Sequence, residues 1–162
     1  GILEEAIRAA RAAGVSISFD GGAGRYRTET RILAEQADIC IVARDFAEKY
    51  TGLTKCAEMV RALFTPHTKI AGVTDGVRGS YIMERGGEAV RQCAYRMARV
   101  VDNTGCGDSY HGAFLYAYTH GKCVQEAARL AAAVAAMNTQ SLGGRSALPR
   151  LQEAEAFLKE RS

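Results

Sequence analysis

The sequence predicts a three-layer αβα fold, in which a mainly parallel sheet is covered on both faces and carries an antiparallel hairpin. Three observations lead there. Short apolar strands alternate with helical segments along the chain, the order that builds parallel sheets. Two extended runs meet directly at Arg85-Gly86-Gly87, as the arms of a hairpin do. Small-residue turns also follow extended segments at Thr74–Gly79 and Asp102–Asp108, and open α/β sheets hold their ligands at such strand ends.

The elements follow in order. Ile2 to Ala13 carries apolar groups at helical spacing and stops at Gly14, a natural C-cap. Val15 to Asp20 reads as a strand closed by Gly21-Gly22-Ala23-Gly24, Thr30 to Gln36 as a short helix, and Ala37 to Val42 as a buried strand. Arg44 to Tyr50 and Leu53 to Phe64 read as helices broken at Thr51-Gly52, and Pro66 ends the run. Lys69 to Thr74 is the next strand, followed by the hairpin of Ser80–Glu84 and Glu88–Cys93. Val100-Val101 reads as the end of a strand that feeds the second glycine turn. Helices are expected from about Gly107 to Thr119, Val124 to Asn138 and Leu151 to Glu160, the second so rich in Ala that it must pack tightly.

Composition bounds the function classes. A chain of 162 residues is long enough for one domain with a real core. Hydrophobic content of 48% and charged content of 24% are ordinary for a soluble globular protein. The net charge of +3 is modest and the basic residues are scattered, which speaks against nucleic acid as the main partner. The 5 cysteines, Cys40, Cys56, Cys93, Cys106 and Cys123, lack zinc-ligand spacing and read as free thiols in a reducing compartment. No apolar stretch approaches the roughly 18 residues of a membrane span, and no signal peptide opens the chain. The expectation is a cytoplasmic protein without a membrane or nucleic-acid partner.

The chemistry concentrates at Asp102-Asn103-Thr104-Gly105-Cys106-Gly107-Asp108. Gly105, Cys106 and Gly107 are small enough to let a ligand approach the backbone. The amides that open the next helix have no intrahelical acceptor and suit an anion. Asp102 and Asp108 bracket this positive pocket, an arrangement that makes sense for a phosphate with its metal ion and a carboxylate that takes a proton. The plain alternative is that Asp108 is only a helix N-cap. Thr74 to Gly79 taken alone reads as an ordinary hairpin connection, with a turn running its backbone along a flat or anionic ligand as the alternative. Two such turns on one sheet edge favour the nucleotide.

These residues carry a resemblance. Val101 to Asp108, followed by Gly112-Ala113-Phe114-Leu115, resembles the C-terminal signature of the ribokinase-like (PfkB) carbohydrate kinases. Val73 to Gly79 is similar to that family's nucleotide-binding strand and turn. Ala37-Asp38-Ile39, Tyr50-Thr51-Gly52 and Gly143-Gly144-Arg145-Ser146-Ala147-Leu148-Pro149 match in kind and order.

The resemblance implies an ATP-dependent kinase acting on a hydroxyl of a sugar or similar small alcohol. Asp108 would touch the substrate as general base, and the amides of Gly105, Cys106 and Gly107 would form the anion hole. Thr74, Gly76 and Gly79 would line the nucleotide, with Ala132 and Ala135 flanking the adenine. A monovalent cation, K+, would take Asp102, Thr104, Asn138, Ser141 and Gly143. The competing readings are a kinase of a non-sugar alcohol, such as a nucleoside or vitamin precursor, and a nucleotide-binding regulatory module without catalysis.

The departures from the family pattern are specific. Asn103 and Cys106 stand where Thr and Ala or Gly are usual, and both are small enough to keep the turn. The family's Asn-x-x-Glu element, which organises magnesium, falls on Ala43 and Phe46 and is absent. Its absence looks more like the ketohexokinase and fructokinase branch, with Mg2+ arriving on the nucleotide phosphates and Asp45 or Asp102 assisting. Family members are about twice this length. Residues 1–162 therefore read as the C-terminal, nucleotide-binding portion of a longer kinase, lacking the N-terminal part and the substrate lid through which relatives often form homodimers. Such a portion is expected to turn over sugar poorly by itself.

Six further positions carry expectations. Arg145 reads equally as a phosphate neutraliser or a solvated loop residue. His111 reads as a helix-surface histidine, and Asp20 as a turn cap. Tyr110, Tyr116 and Tyr118 are expected to pack with Phe114 against the sheet.

Overall fold

The structure is a computed structural model and describes residues 1–161. In chain order it contains α1 (Ile2–Ala12), β1 (Ser18–Gly21), α2 (Thr28–Glu35), β2 (Ile39–Ala43), α3 (Arg44–Thr51), α4 (Cys56–Ala62), β3 (Ile70–Thr74), a 3₁₀ turn (Gly76–Arg78), β4 (Ser80–Glu84), β5 (Val90–Gln92), α5 (Cys106–Thr119), α6 (Val124–Asn138) and α7 (Leu151–Lys159). The strands make one mixed 5-stranded sheet in the order β1-β2-β3-β4-β5. β1 runs parallel to β2 with Ser18 opposite Ile39, and β4 runs antiparallel to β5 with Ser80 opposite Gln92. The α/β class and the hairpin are therefore as the sequence predicts.

The chain divides into two compact units, residues 1–73 with 83–89 and residues 74–82 with 90 onward. In the first unit, Phe46, Met59, Val60, Leu63 and Ile70 form a fully buried core. Phe46 is the hub of an aromatic cluster, with ring centroids 5.7 Å from Phe19, 5.2 Å from Tyr26 and 6.4 Å from Tyr50. Asp38 ties two segments at the edge of this core. Its carboxylate accepts the Ile17 N–H at 2.9 Å and pairs with Lys69 Nζ at 3.1 Å. Burial pushes this carboxyl up, but the Ile17 amide and the Lys69 ammonium outweigh it and hold it below the usual range.

In the second unit, α5 and α6 pack along small residues. Ala127, Ala128, Ala131 and Ala133 of α6 are fully buried and so is Phe114 of α5, an arrangement that lets two helices approach closely. On α7, Phe157 meets Tyr95 edge-on at 5.3 Å, and the Arg161 guanidinium lies 3.8 Å over the Phe157 ring.

Several expectations are corrected. Val100 and Val101 end no strand: they are exposed, and the Val101 and Asp102 amides donate to the Thr139 carbonyl at 2.8 and 3.2 Å instead of to a sheet neighbour. β1 begins at Ser18 rather than Val15, because the Val15 amide closes α1 on Ala10 and the Ile17 amide goes to Asp38. α2 begins at Thr28, since the Thr30 hydroxyl accepts the Arg27 amide at 2.8 Å and so caps the helix from inside its first turn. α4 is shorter than Leu53–Phe64 because Gly52 is left-handed and the Leu53 amide turns back onto the Thr51 hydroxyl. Asp20, expected at a turn, lies within β1, opposite Ile41. His111 is buried on the α5 face that also buries Phe114, three residues on, rather than on the surface. Tyr116 is 44% exposed and stacks on His120 at 4.2 Å instead of packing inward.

Candidate functional site

The site is built on the start of α5. Gly105 is the N-cap, with φ +73, a left-handed conformation that glycine adopts without strain. A Cβ at this position would lie 2.7 Å from the Gly144 carbonyl oxygen, so glycine is required twice over. The Cys106 amide reaches the Asn103 carbonyl at a long 3.3 Å, and the Ser109 amide reaches the Gly105 carbonyl at 2.8 Å. Among the described residues, the amides of Gly105, Gly107 and Asp108 donate to no protein acceptor, which leaves a cluster of N–H groups at the positive end of a 14-residue helix. Asp108 sits exposed in this first turn, and its carboxylate has no hydrogen-bond partner among the described residues.

Asp102 does a different job. One carboxylate oxygen accepts the Thr104 amide at 2.9 Å and the Thr104 hydroxyl at 2.7 Å, and the other accepts the Gly143 amide at 2.8 Å. The Thr104 amide, followed by the Gly143 amide and the Thr104 hydroxyl, holds this carboxyl below the usual carboxylate range. Asp102 thereby fastens the glycine turn to the Gly143–Gly144 loop. Cys106 behaves oppositely: burial, and then the Asp102 charge, push its thiol up and keep it protonated.

The second turn is equally defined. Gly79 has φ +96, and a Cβ there would collide with the Gln92 carbonyl of the neighbouring strand. The Asp75 amide donates to the Gly79 carbonyl at 2.7 Å, and Asp75 and Arg78 form a two-pronged pair with both contacts at 2.6 Å. The backbone is thus set before any ligand arrives.

Both turns open onto one cavity of about 750 Å³. Thr74, Gly76 and Gly79 line it from the first turn, Cys106 and Gly107 from the second, and Ala132 and Ala135 from α6. The nucleotide positions named from sequence therefore come together. The cavity also takes in residues that no motif flagged. Ser80 and Tyr110 share a buried hydrogen bond of 2.8 Å, and Tyr95, Met97 and Val100 come from the segment after β5. Burial pushes the Tyr110 hydroxyl up to about 12, against the smaller opposite effect of Ser80, so it remains neutral. Its helical spacing marked Tyr110 as a packing residue, but only the strand opposite supplies its partner. A second cavity, of about 580 Å³, is lined by Gly105, Asp108, Gly112, Tyr116, Gly144 and Arg145 among others, and places Arg145 on the same opening as Asp108.

The residues named for ions fall into two groups. Asp102, Thr104 and Gly143 are joined by the hydrogen bonds above, and Asn138 sits beneath the same loop with its Nδ2 2.9 Å from the Gly144 carbonyl. Among the described residues the buried Asn138 Oδ1 has no hydrogen-bond partner, which makes it an atom able to accept a ligand. No group of three or more His, Cys, Asp or Glu side chains gathers into a metal cluster among the described residues. At the positions of the absent magnesium element, Phe46 is buried in the aromatic cluster, while Asp45 accepts the Gly24 amide at 2.6 Å. None of the described helices is long and apolar enough to cross a membrane, and none of the 5 cysteines forms a disulfide among the described residues.

Residues 2–151 match the family described as pfkB family carbohydrate kinase. The chain belongs to this family. Within it, the chain is 32% identical over 96% of its length to a 5-dehydro-2-deoxygluconokinase of Halalkalibacterium halodurans, and it spans 50% of the length of that relative. The fold of this pfkB-family chain is ribokinase-like. It superposes on an Arabidopsis thaliana ribokinase, solved with ribose and ATP, with a TM-score of 0.81 at 28% identity, covering 94% of this chain and 50% of that one. A Burkholderia thailandensis nucleoside kinase, solved with inosine, gives a TM-score of 0.78 at 28% identity, covering 95% of this chain and 50% of that one.

Proposed function

We propose that this chain carries the ATP-binding end and the catalytic base of a kinase that moves the terminal phosphoryl group of ATP onto a sugar hydroxyl. The observation that supports it best is the single cavity shared by Thr74–Gly79, Gly107 and the small face of α6. Gly76 and Gly79 let the nucleotide lie against backbone, and Ala132 and Ala135 leave room for a flat base.

In this reading Asp108 accepts the proton of the attacking hydroxyl. It stands ready because no hydrogen-bond partner among the described residues occupies its carboxylate. The Gly105, Cys106 and Gly107 amides meet the charge on the transferred phosphoryl group, the long Cys106 bond to Asn103 being easily exchanged for a ligand. Magnesium would arrive with the nucleotide phosphates, and its charge would offset theirs. A monovalent cation, K+, belongs to the same proposal, held by Asp102, Thr104, Asn138, Ser141 and Gly143. Of these, the Asn138 Oδ1 is an atom without a hydrogen-bond partner among the described residues.

The relative named above points to 5-dehydro-2-deoxygluconate as the first acceptor to try. A nucleoside acceptor is the second reading, favoured by the likeness to a nucleoside kinase solved with inosine. A regulatory module without catalysis is disfavoured by Asp108, since a carboxylate beside an anion pocket weakens anion binding unless it has a task.

The test offers the full-length protein ATP and Mg2+ with 5-dehydro-2-deoxygluconate, ribose or inosine and follows ADP release. Sustained release with one of the first two supports the proposal, and release with inosine alone supports the second reading. ATP binding without turnover on any acceptor leaves the regulatory module. Absence of ATP binding overturns the nucleotide assignment itself.

A further inference from the structure

We infer that Asn138 is a positioning residue for the anion-binding turn: its side-chain amide clamps the peptide that presents the Cys106 N–H and the glycine loop that packs on it. This deepens the nucleotide reading and rests on it for its functional consequence, but not for its geometry.

Asn138 is the last residue of α6, 1% exposed, in a helix whose buried positions are otherwise almost all Ala. Its two N–H groups are both used. One donates to the Gly144 carbonyl at 2.9 Å, the other to the Ser109 hydroxyl at 3.0 Å. The Ser109 hydroxyl in turn donates to the Gly105 carbonyl at 2.7 Å, the oxygen that also accepts the Ser109 amide at 2.8 Å. A peptide group is planar, so fixing the Gly105 carbonyl also fixes the direction of the Cys106 N–H. The other arm holds Gly144, whose backbone stands against Gly105 too closely to admit a Cβ. One amide therefore grips Gly105 from both sides.

Packing alone does not explain this residue. The Asn138 Oδ1 is buried without a hydrogen-bond partner, a cost that an Ala at the same place would avoid. The residue is better accounted for by what its N–H groups hold. Asp102 cannot substitute, because it reaches the loop at Gly143 and the turn at Thr104, on the far side of Gly105 from Ser109.

The test uses Asn138→Ala and Ser109→Ala, the second cutting the relay while leaving the Asn138–Gly144 bond, in buffer free of K+. Amide hydrogen exchange of the ligand-free protein reads the clamp directly. Exchange at Cys106 and Ser109 should accelerate about tenfold or more in Asn138→Ala, and by less in Ser109→Ala, while the middle of α6 keeps its protection. Unchanged exchange at Cys106 and Ser109 in both variants overturns the inference, and so does equal acceleration throughout α5 and α6. If Asn138→Ala does not fold, Ser109→Ala alone decides by the same criterion. Titration with ATP and with adenosine then separates positioning from general damage. ATP affinity should fall about tenfold in Asn138→Ala and adenosine affinity by less than about twofold, since adenosine brings no phosphate to the turn. An equal loss for both ligands overturns the positioning role. A native protein that binds neither ligand overturns the nucleotide reading and leaves the clamp to be judged by exchange.

Discussion

Gly105 and Gly144 meet backbone to backbone, so closely that a Cβ on Gly105 would stand 2.7 Å from the Gly144 carbonyl oxygen. The contact joins the helix that bears Asp108 to the loop that Asp102 and Asn138 also hold. Gly105→Ala meets two penalties there, the left-handed φ and the clash, together worth roughly 3 kcal/mol. The expected outcome is a lower unfolding midpoint and weak ATP binding, measured by denaturant titration and calorimetry. A variant as stable as the native protein would mean that the loop moves aside at no cost.

Asp108→Asn keeps the shape of the first turn and removes the base. Turnover by the full-length protein should fall by about 10²–10⁴, the contribution of a positioned general base. ATP affinity should persist, since the amide removes a negative charge beside the anion pocket. Kinetics and calorimetry on one preparation give the split, and unchanged turnover removes Asp108 from the base role.

Ala135→Phe places a large ring in the cavity that Thr74, Gly79 and Gly107 share. Ala135 is only half-buried, so the fold should accept the ring, with an unfolding midpoint within a few degrees of the native one. ATP affinity should drop at least about tenfold, because the ring occupies the volume of the base. Native affinity in this variant would place the nucleotide elsewhere.

Asp38 gives the first unit an acid-sensitive tie. Its carboxyl is held below the usual range by the Ile17 amide and Lys69, against the upward push of burial. A depressed folded value means that the charged form favours the folded state. Its contribution is complete at pH above the unfolded carboxyl value and is lost as pH falls through the folded one. Asp38→Asn should therefore be less stable than the native protein near neutral pH, and the difference should shrink on acidification below the ordinary Asp value of about 3.9. Urea melts across that range check the sign, and a gap that widens in acid contradicts it.

Much of this molecule was legible in its sequence because the signals are local. The Gly-rich spacing from Gly105 to Asp108 and the Ala content of α6 name their own structures, as does the hairpin turn at Arg85-Gly86-Gly87. Each rests on backbone freedom, side-chain size or capping within a few residues. Where the structure departs from the local signals, a distant partner intervenes. Val100-Val101 has the composition of a strand, yet the amides of Val101 and Asp102 are taken by the Thr139 carbonyl at the end of α6. His111 looked like a surface residue until α5 acquired neighbours that cover it.

The candidate site divides in the same way. The sequence by itself determined which residues are small, which are acidic and where a helix would open its amides, because those properties belong to single residues and short spacings. Only the tertiary structure decided the partners: that Tyr110 meets Ser80, that Asp102 reaches Gly143, and that Asn138 grips Ser109 and Gly144 together. Hydrogen bonds across tens of residues leave no periodic trace in a chain, since their directions are set only when the elements pack.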